Sequence, residues 1–446
     1  MGTYPANELK LQVMFRVFCV FLMLSSAVSS LWAEEHALER AFSQMNAGNW
    51  QDALRLAQSD GAVARDIIEW HRLRDGQGTA QEALKFLERN GDWPGLPYLR
   101  KQSEVALSDA NEQTILTYFE TSAPQTGAGA LAYALALSKD GQSKKAALVA
   151  QNAWITLPLK APQQGAFLSA FGSVLASLHE LRLIEMLWMD EHASAQQMEN
   201  LVGADLSALL RARIALRKGQ EGVTALINAV PNALGNHPVL NHARFEWRLK
   251  NGFRDSAIDL LSVSSERASR LGQSERWADA RIRIVRDLLF DGKNKQAYTL
   301  AANHHIAEGT KYAKLEWLAG FAALRRLNDP KRAVQHFKNF LSAVDTPISL
   351  GRAYYWLGRA HAASGNNDAA LAAYKNGAKY QSSFYGLLSA EKANMPMPSD
   401  FLTWGELPDW RDASFVNSSV LHAAILLFSA NQNPLGERFI THLSET

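Results

Sequence analysis

From Arg352 to Tyr374 the chain reads Arg-Ala-Tyr-Tyr-Trp-Leu-Gly-Arg-Ala-His-Ala-Ala-Ser-Gly-Asn-Asn-Asp-Ala-Ala-Leu-Ala-Ala-Tyr. In the first half Tyr354, Leu357, Gly358 and His361 recur at helical spacing. Ser364-Gly365-Asn366 is turn chemistry, and the second half resumes with alanine, the best helix former. The stretch therefore predicts two helices joined by a tight turn. Ala370 lies one turn into the second helix, where a small side chain lets the paired helices approach closely.

The same device recurs outward from this pair. Gly48 precedes Ala53 by five positions, as Gly78 does Ala83, Gly141 does Ala146, Gly252 does Ala257, Gly292 does Ala297 and Asn328 does Ala333. Gly219 with Ala225 repeats it with one residue added. The turns at 252, 292, 328 and 365 are 40, 36 and 37 residues apart, the period of a two-helix solenoid unit. Tyr354, Leu357, Gly358, His361, Ala370 and Tyr374 fit the tetratricopeptide consensus, and Trp317, Ala333 and Phe337 form a weaker copy. A single helix pair cannot bury its apolar stripe, so neighbours must stack. The expected fold is all-α, a tetratricopeptide-like helical-repeat superhelix of ring or U shape. No sustained Val/Ile/Thr alternation argues for a sheet.

Composition agrees. The chain has 446 residues, 47% hydrophobic and 20% charged, enough for a large folded body with more than one domain. Its Gly, Pro and Cys counts exclude collagen-like, low-complexity and disulfide-scaffold classes. A net charge of +2 provides no general attraction for nucleic acid, which is not expected as a partner.

At the N-terminus Lys10 and Arg16 precede an apolar run from Val17 to Val28, then Ser-Ser-Leu-Trp-Ala and Glu34-Glu35. This is the order of a secretory signal peptide, residues 1–33, with cleavage expected near Ala33 and an uncleaved anchor as the alternative. Leu31 is a poor fit three residues before the cut. Phe18 before Cys19 argues against lipid attachment. Removal of 1–33 takes away the only Cys, which suits an oxidising compartment and excludes thiol catalysis, Cys-ligated zinc and disulfides. No later stretch is expected to span a membrane, Val420 to Ala430 being the longest apolar candidate.

Regularity falters near 156–200, where Pro158 and Pro162 interrupt, and again at 394–412. The expected division is a helical superhelix over 34–390 and a second helical element over 391–446, with helices near 415–430 and 434–443.

Compact catalytic signatures are missing: the sequence contains no Gly-x-Gly-x-x-Gly, Walker loop, His-Glu-x-x-His or Gly-x-Ser-x-Gly. His304 and His305 are adjacent and would point to different faces of a helix, so a helix-end or surface role is expected, with no metal and no cofactor. His237 before Pro238 reads as a turn residue. Glu316 beside Trp317 is a candidate buried acid, but the expectation for it, as for Glu391 and Glu437, is a solvated helix face. Most aromatic residues should fill seams. The cluster around Arg352, Tyr355 and Arg359 is denser than packing requires. Rings beside guanidinium groups there would hold a sugar chain or an acidic peptide, or else brace one another internally. Arg281, Arg283 and Arg286 read as a basic patch split over more than one face.

With these residues in view, the chain resembles the exported soluble lytic murein transglycosylases, bacterial enzymes that cleave peptidoglycan glycan strands. The likeness is carried by Arg352-Ala-Tyr-Tyr-Trp-Leu-Gly-Arg-Ala360 followed by Ala378-Lys-Tyr-Gln-Ser-Ser-Phe-Tyr-Gly386-Leu-Leu-Ser-Ala390. Further echoes are Gly91-Asp-Trp-Pro-Gly-Leu-Pro-Tyr98, His237-Pro-Val-Leu240, Glu275-Arg-Trp-Ala-Asp-Ala-Arg281 and Glu437-Arg-Phe-Ile-Thr-His-Leu443. They run from about residue 40 to the end, and their order is more telling than any one of them.

The resemblance implies a helical ring, a linker domain begun at 391–446, and a lysozyme-like domain with one catalytic glutamate in a Glu-Ser motif and a later Gly-Leu-Met-Gln. Neither motif occurs in these 446 residues, so no residue inherits the catalytic role. In the family mechanism that glutamate protonates the glycosidic oxygen and aids attack by the sugar's own 6-hydroxyl, giving 1,6-anhydromuramoyl ends. The helical part would position glycan, with Arg352, Tyr355, Arg359 and Tyr385 as candidate contacts. Implied partners are peptidoglycan strands and other cell-wall enzymes, and the implied location is the periplasm. The alternative is an exported helical-repeat binding or scaffold protein without enzymatic activity.

Overall fold

A computed structural model describes residues 37–399 and 409–445. The expected signal peptide, its cleavage point and Cys19 lie outside the described residues. Every regular element described is a helix, and no strand occurs among the described residues. The chain is all-α, as expected. Its contacts divide the described residues into two compact units, one of 37–153 with 409–445 and one of 154–399.

In the first unit the chain's last helices, Ser419–Ser429 and Asn433–Glu445, pack on its early ones. Phe439 meets the rings of Trp70 at 5.7 Å and Trp93 at 5.3 Å. The Trp93 indole N–H donates to Ser419 Oγ at 2.9 Å, and that of Trp70 to the Pro94 carbonyl at 3.0 Å. Two segments far apart in the chain, Gly91–Tyr98 and Glu437–Leu443, thus share one aromatic core. Glu104 is buried and accepts hydrogen bonds from the Gln125 and Thr126 backbone N–H groups and the Thr126 hydroxyl. Burial pushes its carboxyl up, and these bonds counteract the push only in part.

The second unit is the regular one. Paired helices follow in order: Pro238–Lys250 with Arg254–Ser264, Ala278–Phe290 with Asn294–Ala302, Gly309–Arg325 with Pro330–Ser342, and Pro347–Ala363 with Asn367–Gly377. Phe384–Ala393 packs on the last pair. The turns at Gly252, Gly292, Asn328 and Gly365 have φ of 82°, 74°, 53° and 77°, a left-handed conformation that reverses the chain and favours glycine or asparagine. The alanines five residues later, Ala257, Ala297, Ala333 and Ala370, are all buried, as are Ala53, Ala83 and Ala146 after Gly48, Gly78 and Gly141. The proposed eighth copy fails: Ala225 is exposed, and the short Val223–Asn228 helix after Gly219 buries no residue.

Two glycines explain the close helix pairing. A Cβ on Gly358 would sit 2.5 Å from the Tyr374 ring, and one on Gly320 would sit 2.7 Å from Phe337. Each glycine makes room for the aromatic ring of its partner helix. Leu357, one residue before Gly358, is buried in the same core cluster.

One stretch departs from expectation. Ala161–Trp188 has the length and composition of a membrane span, with mean hydropathy 1.3, so Val420 to Ala430 is not the longest apolar candidate. The Ala176–Leu178 3-10 turn divides it, and Arg182, Leu183, Met186, Leu187 and Trp188 in its second part are buried in the protein. Glu180, Arg182 and Glu185 break up the apolar pattern in sequence.

Candidate functional site

The densest chemistry lies in the second unit, where the first helices of the last two pairs bring arginines against aromatic rings. Arg352 lays its guanidinium over the Trp317 ring, 3.7 Å from its centroid, with Tyr385 at 5.8 Å. Arg359 donates to the Tyr355 hydroxyl at 3.1 Å and lies 5.7 Å from the Trp356 ring centroid. Tyr355 and Trp356 are buried; Arg352, Arg359, Trp317 and Tyr385 are half-buried. The structure therefore gathers Arg352, Tyr355, Arg359 and Tyr385 around one ring cluster. Tyr355 offers only its hydroxyl, and Arg359 holds it.

Burial lowers the Arg352 pKa; Tyr385 counteracts this, while repulsion from Arg286 adds to the lowering. Arg286 thus approaches from the Ala278–Phe290 helix. The expected basic patch is corrected at one member: Arg281 is fully buried, donating to the Leu300 and Asn303 carbonyls at 2.8 and 3.1 Å and to Ser265 Oγ at 2.9 Å. It caps the end of the neighbouring helix, and burial lowers its pKa to about 10. Arg283 and Arg286 are exposed. Arg283 joins Arg217, Glu246, Trp247 and Lys250 in lining a groove of about 350 Å³. The Trp247 ring stacks on Phe253 at 5.6 Å.

Glu316 is a second correction. It is 5% exposed rather than solvated. His304 Nε2 donates to its Oε1 at 3.0 Å, and His336 Nδ1 and Asn339 Nδ2 donate to its Oε2 at 2.7 and 3.1 Å. The Tyr298 hydroxyl completes the line, 3.2 Å from His336 Nε2. Burial alone would raise the Glu316 carboxyl, but the hydrogen bonds from His304, His336 and Asn339 and the charge of His336 hold it at about 2. A general acid needs the opposite shift. Glu316 is an ionised acceptor that ties its own helix to the Pro330–Ser342 helix and to the non-helical stretch after Ala302.

His304 is accordingly buried, and neither adjacent histidine lies in a helix. His305 has φ of 54° and meets the Ser265 carbonyl at 2.9 Å. The chain leaves the helix at Ala302, so the two rings diverge for a reason helical geometry does not supply. No group of three or more His, Cys, Asp or Glu side chains suited to a metal ion occurs among the described residues. His237 is a turn residue as expected, its Nδ1 accepting from the Val239 N–H at 3.3 Å. Glu391 and Glu437 are exposed.

Sequence reading missed the partners rather than the cluster. Trp317 was legible only as a repeat position, and Arg286 only as part of a patch.

No protein-family model matches this sequence, and no curated protein matches it. Solved structures do. The chain is similar to the lytic transglycosylase Slt inactive mutant E503Q from Pseudomonas aeruginosa, with 17% identity, a TM-score of 0.56, and 92% of this chain and 66% of that one covered. It is also similar to the 70 kDa soluble lytic transglycosylase Slt70 from Escherichia coli, with 14% identity, a TM-score of 0.52, and 91% and 64% covered. At such identity the likeness is one of fold: an all-α arrangement related to that of soluble lytic transglycosylases. The chain spans somewhat less than two thirds of each of these proteins.

Proposed function

We propose that this chain is the glycan-positioning helical portion of a peptidoglycan lytic transglycosylase, acting in the periplasm with a lysozyme-like domain that forms 1,6-anhydromuramoyl ends. Residues 391–446 begin the linker domain in this reading. The observation that carries it is the set of half-buried rings beside Arg352 and Arg359, which have no carboxylate partner, on a fold like that of lytic transglycosylases. Guanidinium groups take the hydroxyls and carboxylates of peptidoglycan, with the half-buried Tyr385 ring beside them. Arg352, Arg359 and Tyr385 are the contacts, and Tyr355 positions Arg359. Bond cleavage is assigned to no residue of this chain, and the Glu316 carboxyl is shifted down, opposite to what a general acid needs.

The test is a pull-down of the purified chain with peptidoglycan sacculi, with mass spectrometry of any released fragments. Binding without anhydromuramoyl products is the expected result. Products above a protein-free control would place catalysis in this chain, and no binding would leave the scaffold reading.

A further inference from the structure

Arg283, Arg286, Arg352 and Arg359 pair with no carboxylate among the described residues, although acid partners are abundant elsewhere in the same unit. Arg217, for example, bonds both Asp190 and Glu246. Arg352 is the more notable because it is half-buried, repelled by Arg286, and stacked on a ring. A guanidinium in that position has lost hydration on one face and retains in-plane N–H donors. Arg352 Nε, Trp317 Nε1 and Trp356 Nε1 are each buried without an acceptor. Trp356 is itself 8% exposed. A half-buried guanidinium with a second arginine acting on it and no carboxylate partner carries uncompensated positive charge, which an anionic acceptor would offset.

We infer that the Arg352–Trp317–Tyr385 bracket, with Arg286 beside it, is a carboxylate-binding site whose occupant is a stem-peptide carboxylate of peptidoglycan. The identity of the occupant rests on the function proposed above; the anionic chemistry rests on the side chains alone. A carboxylate fits better than a neutral sugar hydroxyl because it offers several acceptor sites and cancels the repulsion between Arg286 and Arg352. The ring of Tyr385 and the stacked Trp317 would restrict the approach to the guanidinium edge.

The test is calorimetric titration of the purified chain with a free stem tetrapeptide, and separately with a neutral N-acetylglucosamine oligomer. The tetrapeptide should bind, and Arg352→Gln should weaken it by about tenfold or more. Arg286→Gln, at an exposed position that does not threaten folding, should weaken it by a smaller factor and reduce its salt dependence. The oligomer, which carries no carboxylate, should lose less affinity than the tetrapeptide in both variants. No tetrapeptide binding, or binding unchanged in both variants, overturns the inference. Sacculus binding that persists in that case leaves the positioning function standing. Tetrapeptide binding without sacculus binding supports the carboxylate site and removes the positioning function.

Discussion

Two parts of the second unit solve one problem differently. Over 309–393 the helix pairs are joined by glycine against aromatic ring: Gly320 with Phe337 and Gly358 with Tyr374. Over 154–302 the interior instead carries three fully buried arginines, Arg182, Arg213 and Arg281. Each reaches carbonyls near a helix end: Arg182 those of Trp154 and Leu157, Arg213 that of Leu187, and Arg281 those of Leu300 and Asn303. The first device is steric and needs a consensus. The second is electrostatic, satisfying carbonyls that lack intrahelical partners, and tolerates irregular spacing. Regions that depart from the tetratricopeptide pattern can therefore still stack.

The sharpest way to break this contrast is Arg281→Met. Removing the guanidinium leaves two carbonyls and the Ser265 hydroxyl without their donor, and a loss of about 3 kcal/mol is expected, with Arg283→Met near neutral. Hydrogen exchange of the Asn294–Ala302 amides would show whether the loss is local to the capped helix. Acid titration should weaken both units by a loss of similar size. Burial holds His71, in the first unit, and His242, in the second, at about 4. Their ordinary value is 6.5, so the unfolded chain takes up protons first as pH falls. The stability is complete above 6.5 and is lost between 6.5 and about 4, by up to about 3 kcal/mol for His71. Unfolding midpoints followed across that window should fall, and His71→Gln should flatten the slope. Glu316, also depressed, contributes lower down, between about 4.5 and 2.

Smaller effects sharpen the steric side. Gly358→Ala should cost about 2 kcal/mol, because its Cβ would overlap the Tyr374 ring. Gly358→Ala combined with Tyr374→Leu should recover part of this. Gly365→Ala should cost about 1 kcal/mol, since nothing lies within 4 Å of the added Cβ and only the left-handed backbone resists. Urea denaturation of the three variants would rank them, and equal costs would show that the close packing at Gly358 contributes nothing.

Much of the fold was legible because its signals are local. A turn glycine or asparagine with a small residue five positions on reports a helix pair wherever it occurs, and seven of the eight marked positions bury the alanine. Gly219 with Ala225 failed because the spacing was matched loosely and the helix after it is one short turn and a half. The site was legible in part. The density of rings and arginines at 352–359 and Tyr385 was plain, but which ring lies under which guanidinium depends on neighbouring repeats.

The sequence by itself determined the helices, their turns and their period, since propensity and left-handed turn residues act within a few positions. Only the tertiary structure decided the fate of charge. Arg281 and Arg286 look alike in sequence and lie on one helix, yet one is buried as a cap and the other exposed near Arg352. Glu316 became an ionised acceptor because His304 and His336 reach it from other segments. Hydration and ion pairing depend on what other parts of the chain bring to a side chain, and no local pattern records that.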